Sequence, residues 1–334
     1  GFIPLVLKVE ADAIQRFTRA QSLYHEPTNW YEMADIAVCV TVFKRIEKLN
    51  TLLHSIDPEF ASTVYVADDG EWTDRKEEVY EQSFSFDLEV FDMEFDAGLG
   101  AGRHRIVQEF GEDYLLLMDA DMQMPENVHV LLDQLEEDSS LGGVCGVFLE
   151  DDRIYTSGCM DIYEENATCK LEVREQKQIK YLSDYPFVEF DMIANAALFR
   201  RRCLEDYSWD PEYVIGREHA DFYVGHKRET DWTFGLSPSV LFPHDPGGGD
   251  DFLTHRWDDD KYETAHEYFM EKWEFDEYKP IRYSWLDTFD SRFGDHPPPS
   301  LIREVRHKYK TDGFRSLSRS VLKTLFRRVT HRFR

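Results

Sequence analysis

Two short acidic motifs stand where apolar runs stop. Leu115-Leu-Leu-Met118 leads directly into Asp119-Ala120-Asp121, and Val64-Tyr-Val-Ala67 leads into Asp68-Asp69-Gly70. Paired carboxylates at such a point offer the hard oxygen ligands that a divalent cation takes when diphosphate oxygens and water complete its shell. A carboxylate at 68 or 69 can accept hydrogen bonds from a nucleotide's base or ribose, although Asp-Gly is also an ordinary turn pair. Gly98-Leu-Gly-Ala-Gly102 followed by Arg103 is compatible with plain loop chemistry or with a helix start facing a diphosphate. Frequency gives these aspartates no weight, because the chain holds 34 Asp in 334 residues. Their position at the ends of buried strands does.

The elements that must place them read as an alternation. Ile36 to Phe43 is a continuous apolar, branched run, a strand buried on both faces. Ile46, Leu49, Leu52, Leu53 and Ile56 follow at helical spacing, stopped by Pro58. After the strand 64–67 come an extended segment 86–93, the Gly-rich turn, and a helix through Ile106 and Phe110 that Gly111 closes as a left-handed cap. The strand 114–118 precedes a helix starting at Pro125 and a strand near 143–149. This order predicts an α/β fold with a mostly parallel sheet flanked by helices, which carries ligands at the carboxyl ends of its strands. The second half is less regular: an apolar stretch 187–199 ending in Arg200-Arg-Arg202, then Gly216-Arg-Glu-His-Ala-Asp221, His244, and a run of glycines at 247–249.

Composition excludes a disordered polyanion, since 42% of residues are hydrophobic and 14% aromatic. The 66 acidic side chains against 38 basic give a formal charge of −28, with only 14 Lys. Such a surface suits a protein of concentrated salt, where self-repulsion is screened, and a halophile is the expected source. Five cysteines without a Cys-x-x-Cys pair indicate neither a disulfide framework nor a zinc knuckle. With no run of eighteen apolar residues and no signal peptide pattern, the chain is expected in the cytoplasm.

The blocks 40–45, 64–70, 98–103 and 115–121 together resemble successive motifs of a family 2 glycosyltransferase with a GT-A fold. So do the strand and double-arginine segment 190–202 and the late Phe269-Met-Glu-Lys-Trp273. The resemblance spans roughly residues 34–275 in the right order. It implies that Asp68 or Asp69 holds the uracil and ribose of a nucleotide-sugar, UDP-sugar favoured, with Arg103 near the nucleotide. It further implies that Asp119 and Asp121 bind the diphosphate through Mn²⁺ or Mg²⁺. His244, which alone would read as structural, stands where some relatives place a third metal ligand, and Asp245 is its expected support. Glu218 and Asp221 stand where relatives carry a Glu-Asp pair. Glu218 is the first choice for the base that takes the acceptor hydroxyl's proton, with Asp221 left open as the alternative. The glycines at 247–249 would let a lid close over the donor. Trp232 and Trp257 are candidates for stacking on sugar rings, with core packing the default.

The implied organisation is a leader over 1–33 and a GT-A domain over 34–280, divided into a nucleotide-sugar half (34–150) and an acceptor half (151–280). A Pro-containing linker (281–300) and a tail (301–334) follow. That tail carries eleven Lys and Arg against Glu304 and Asp312, with apolar residues at 314, 317, 321, 325, 329 and 333. This is the pattern of a basic amphipathic helix, expected at a membrane interface, with docking on the acidic body or an oligomer contact as the alternatives. The implied activity is inverting, metal-dependent transfer of a sugar to a glycan or lipid-linked acceptor at the cytoplasmic membrane face, with no nucleic-acid partner. A non-catalytic nucleotide- or glycan-binding module and a sugar nucleotidyltransferase are the alternatives.

Overall fold

The computed structural model describes residues 34–288 except 152, 174–176 and 281–283. The leader 1–33 and the tail 301–334 lie outside the described residues. The first half runs β1 (Ile36–Val42), α1 (Ile46–Leu53), β2 (Thr63–Asp68), α2 (Asp74–Tyr80), β3 (Asp87–Asp92), α3 (Gly98–Glu109), β4 (Tyr114–Asp119), α4 (His129–Glu137) and β5 (Leu141–Glu150). The second half runs β6 (Arg153–Tyr155), β7 (Asp161–Glu165), β8 (Thr168–Glu172), β9 (Ile179–Leu182), β10 (Tyr185–Phe190), β11 (Ala197–Arg200), α5 (Arg201–Asp206), α6 (Glu218–Glu229), β12 (Thr233–Pro243), α7 (Asp250–Arg256), α8 (Asp259–Lys272) and β13 (Glu277–Pro280).

The fold is α/β, as expected: a ten-stranded mixed sheet ordered β3-β2-β1-β4-β11-β5-β12-β10-β9, with β6 paired to β5, flanked by helices. β3, β2, β1 and β4 form a parallel ladder, and β12 runs parallel to β5. β11 enters antiparallel between β4 and β5, so those two point the same way. The carboxyl ends of β1, β2, β4, β5 and β12 and the start of β11 therefore share one edge. Burial explains the apolar runs: all seven residues of β1 are buried, and β4 is buried until Asp119. A three-stranded sheet, β13-β8-β7, packs separately. The five cysteines are buried and free. Among the described residues no helix is long and apolar enough to cross a membrane.

The local structure details several segments and corrects the expectations at Gly111 and Pro125. The stretch 187–199 is two strands, β10 and β11, joined by a segment whose Met192 bridges Met160. Gly111 is not left-handed, because α3 ends on the extended Phe110. α4 starts at His129 rather than Pro125, with Val128 N–H bonded back to the Pro125 carbonyl in a turn. Residues 284–288, inside the expected linker, return to β6 through Arg153–Asp287 and Thr288 N–H to the Ile154 carbonyl.

The Gly-rich segment is the first turn of α3, not a turn preceding it. Gly98 has φ +96°, and a Cβ there would lie 2.2 Å from Val214 Cα; at Gly100 it would lie 2.3 Å from the Asp210 carbonyl. Its glycines thus serve close approach of α3 to the 210–214 segment. Gly98→Ala combines a strained left-handed alanine with a backbone clash and is expected to destabilise the protein by about 2–5 kcal/mol in urea unfolding. Gly111→Ala, where a Cβ meets nothing within 4 Å, is the control and should change stability by less than about 0.5 kcal/mol.

Candidate functional site

The acidic motifs meet at the shared sheet edge. After β4 the chain turns, and residues 121–123 pair with the end of β12. Gln123 N–H bonds the Pro243 carbonyl at 2.9 Å, and Asp245 N–H bonds the Asp121 carbonyl at 2.9 Å. This pairing brings Asp121 Oδ2 within 3.5 Å of His244 Nε2, across 123 residues of sequence. On the other side of the ring, Nδ1 lies 2.8 Å from Glu150 Oε1 at the end of β5, and Tyr155 donates its hydroxyl to the same oxygen. The hydrogen bond from Nδ1 to Glu150 fixes the ring so that Nε2 is the nitrogen facing Asp121. The support for His244 is thus Glu150 and not Asp245, which pairs with Lys48 at 3.2 Å.

The three expected metal ligands do not converge. Asp119 is turned away toward Arg103 Nη2 and Asn195 Nδ2, each 3.4 Å distant. Among the described residues no group of three or more His, Cys, Asp or Glu is placed to hold a metal ion. Asp121 and His244 do fit a divalent ion in part, as one carboxylate and one imidazole facing a common point. In this structure Asp121 is paired instead with the Arg45 guanidinium. Burial opposes ionisation of Asp121, but Arg45, His244 and Lys48 outweigh it and hold its carboxyl well below the usual range. Burial would likewise depress His244, yet Asp121 and Glu150 raise it to about 9.

Asp68 and Asp69 separate clearly. Asp68 is fully buried with both oxygens engaged: Oδ1 accepts from Lys76 Nζ at 2.5 Å and Gly70 N–H at 3.0 Å, and Oδ2 accepts from the Tyr80 hydroxyl at 2.5 Å. Lys76 also reaches the Phe43 carbonyl at 3.2 Å, so Asp68, with no exposed surface and both oxygens engaged, fixes the loop after β1. Asp69 accepts from Gly98 N–H at 2.7 Å and lines a cavity of about 70 Å³ with Phe43, Arg45, Gly102, Val214 and Phe252. Burial first, then Asp96 and Asp68, lift Asp69 to about 6 against the Gly98 hydrogen bond.

That folded value exceeds the ordinary one of about 3.9, so stability tied to protonated Asp69 is complete below about pH 4 and lost as pH rises through 6. Asp69→Asn should therefore be more stable than the parent at pH 8, by up to about 3 kcal/mol, and no more stable at pH 4. Thermal melts at the two pH values check this.

The start of α3 does not cradle a phosphate. Gly98 N–H goes to Asp69, Leu99 N–H to the Val214 carbonyl, and Gly100 N–H to the Tyr213 carbonyl. Arg103 is fully buried beneath Asp119, beside Trp209, and does not line the cavity; its Nε and Nη1 have no partner. The cavity's outer wall is α7 and the start of α8, through Phe252, His255, Arg256 and Lys261. A larger cavity of about 660 Å³ lies at the opposite edge, lined by Tyr114 at the start of β4, Arg200–Arg202 and Trp232, and holds none of the acidic motifs. Trp232 donates to Asp206, and Trp257 is 45% exposed and stacks on Tyr262.

Glu218 and Asp221 share the first turn of α6 but not an environment. Asp221 is fully buried and receives hydrogen bonds from the hydroxyls of Tyr207 (3.2 Å) and Tyr213 (3.0 Å), Lys272 Nζ (3.0 Å) and Trp273 Nε1 (2.8 Å). The Lys-Trp pair at 272–273 thus anchors α6 through Asp221. Glu218 is buried, yet its Oε2 has no hydrogen-bond partner. It follows Gly216 and Arg217, both left-handed, with Arg217 at φ +67°. Strain of this kind persists where surroundings enforce it, often at functional sites. Arg45 and Asn195 lie within the blocks 40–45 and 190–202, but neither they nor Glu150 are marked by the sequence as site residues.

The family model described as glycosyl transferase family 2 matches residues 37–208. No curated protein matches the chain. Among solved structures, TarS 1–349 of S. aureus in complex with UDP is similar at 14% identity and TM-score 0.47, covering 66% of this chain. This chain spans 63% of that structure's length. The mannosyltransferase PcManGT of Pyrobaculum calidifontis, in complex with GDP-Man and Mn²⁺, is similar at 14% identity and TM-score 0.46, covering 92% of this chain and 80% of its own. GalNAc-T7 with UDP, GalNAc and Mn²⁺ is similar at 13% identity and TM-score 0.49, covering 90% and 58%.

Proposed function

Because the chain belongs to glycosyl transferase family 2, we propose that it moves a sugar, with inversion, from a nucleotide diphosphate-sugar to a glycan or lipid-linked acceptor. The observation that carries this reading is the meeting of Asp121 and His244 beside the cavity that Asp69 lines. Asp121 and His244 would hold a divalent ion, Mn²⁺ or Mg²⁺, with Asp119 on the diphosphate side. When bound, that ion neutralises charge on the leaving diphosphate.

The chain's own residues do the rest. Asp69 receives hydrogen bonds from the base or ribose, UDP being the favoured nucleotide. Glu150 orients His244. Glu218, with one carboxylate oxygen uncommitted, takes the proton from the attacking hydroxyl, while Asp221, bound by four donors, holds α6 in place. The α7 wall excludes water from the reacting centre. The acid excess supports a salt-adapted protein, and the basic amphipathic pattern of 301–334 supports attachment to the cytoplasmic face of a membrane. Calorimetric titration of the full chain with UDP- and GDP-sugars, with and without Mn²⁺, tests the reading. Metal-enhanced binding of one donor is expected, and absence of binding by all of them would overturn it.

A further inference from the structure

Arg45 stands in the loop between β1 and α1, at the end of the block 40–45. Its Nη1 meets Asp121 Oδ2 directly, with the Asp121 side chain only 5% exposed, and the guanidinium lies over the Phe252 ring of α7 at 4.5 Å. The next turn reinforces the arrangement, since Lys48 of α1 bonds the Asp245 and Pro246 carbonyls beside His244. The loop after β1, the acidic turn after β4, the end of β12 and α7 are thereby tied together through two cations.

A metal ion arriving alone must compete with Arg45 for Asp121 and finds, among the described residues, only His244 as a second ligand facing it. It would also leave a guanidinium without its carboxylate, which is costly at a buried site. A nucleoside diphosphate removes both difficulties. Its oxygens complete the shell of the ion, and they offer the freed, planar guanidinium a bidentate partner. Resting on the donor-site reading above, we propose that Arg45 is a resident counter-cation. It neutralises Asp121 while the site is empty and passes to the diphosphate when metal and nucleotide enter, so that the two bind cooperatively. Phe252, stacked on the same guanidinium, couples this transfer to the position of α7.

Mn²⁺ binding to the full chain, followed by the electron spin resonance of the free ion, tests the proposal alone and with UDP or GDP. The parent protein is expected to bind Mn²⁺ at least about tenfold more tightly with nucleotide present. Arg45→Ala should bind Mn²⁺ alone at least about tenfold more tightly than the parent and gain less from nucleotide. Arg45→Met, which keeps the aliphatic stem against Phe252, should behave the same way and guards against a folding defect. Unchanged or weaker binding of Mn²⁺ alone by a folded Arg45→Met protein would overturn the role of Arg45 while leaving the donor site standing. No nucleotide-dependent Mn²⁺ binding by the parent would overturn both.

Discussion

Replacing Glu218 by Gln is expected to lower turnover by about 10²–10⁴-fold, the range that a positioned general base supplies, and to leave donor affinity unchanged. The amide keeps the volume and one acceptor oxygen, so packing at the start of α6 survives. What it loses is the ability to take a proton. Glu218 Oε2 lacks any hydrogen-bond partner in a buried setting, where nearly all polar atoms find one. An uncommitted carboxylate oxygen at a strained helix start is the feature expected of a base that waits for an acceptor hydroxyl. Measured kcat should fall with the calorimetric donor affinity intact. A loss of donor binding equal to the loss of rate would instead make Glu218 a binding residue.

The second large effect is expected from Asp121→Asn. Removing the charge removes the carboxylate that faces His244 Nε2. Affinity for Mn²⁺ in the presence of nucleotide should fall by at least about 100-fold, more than the loss typical of a residue that only orients a ligand. Nucleotide binding should then become insensitive to added metal. The same substitution at Asp68 would act differently. Its carboxylate is enclosed by Lys76, Gly70 and Tyr80, so the effect would appear as lost stability through an uncompensated buried lysine. Thermal melts beside the Mn²⁺ titrations separate the two aspartates.

The contrast between those aspartates shows what the sequence made legible. Continuous apolar runs announce β1, β2 and β4, and the strand ends fix which acidic residues reach the ligand edge. The partners of those residues are another matter. Asp68 is claimed by Lys76 and Tyr80 of α2, and Asp221 by Lys272 and Trp273 some fifty residues downstream. In both cases two neighbouring carboxylates of similar sequence context are divided into a structural and a chemically available one by side chains from another element.

Glycine is ambiguous for a similar reason. The spacing Gly98, Gly100, Gly102 suits a phosphate loop and suits close backbone packing equally well, and only the carbonyls of Tyr213 and Val214 decide for packing. β11 slips antiparallel between β4 and β5 and carries Asn195 to the site at its entry, a pairing that no local pattern records. Arg45 and Glu150 are single residues whose importance comes from Asp121 and His244. The 301–334 pattern is legible in the sequence and falls outside the described residues.

The most direct measurement is release of nucleoside diphosphate from a panel of UDP-, GDP- and dTDP-sugars by the full chain in high salt, with Mn²⁺ and again with a chelator. Metal-dependent release from at least one donor, abolished by Asp121→Asn and strongly slowed by Glu218→Gln, is the expected result. Release that persists in chelator and in Asp121→Asn, or no release from any donor, would contradict a metal-dependent nucleotide-sugar site built on Asp121 and His244.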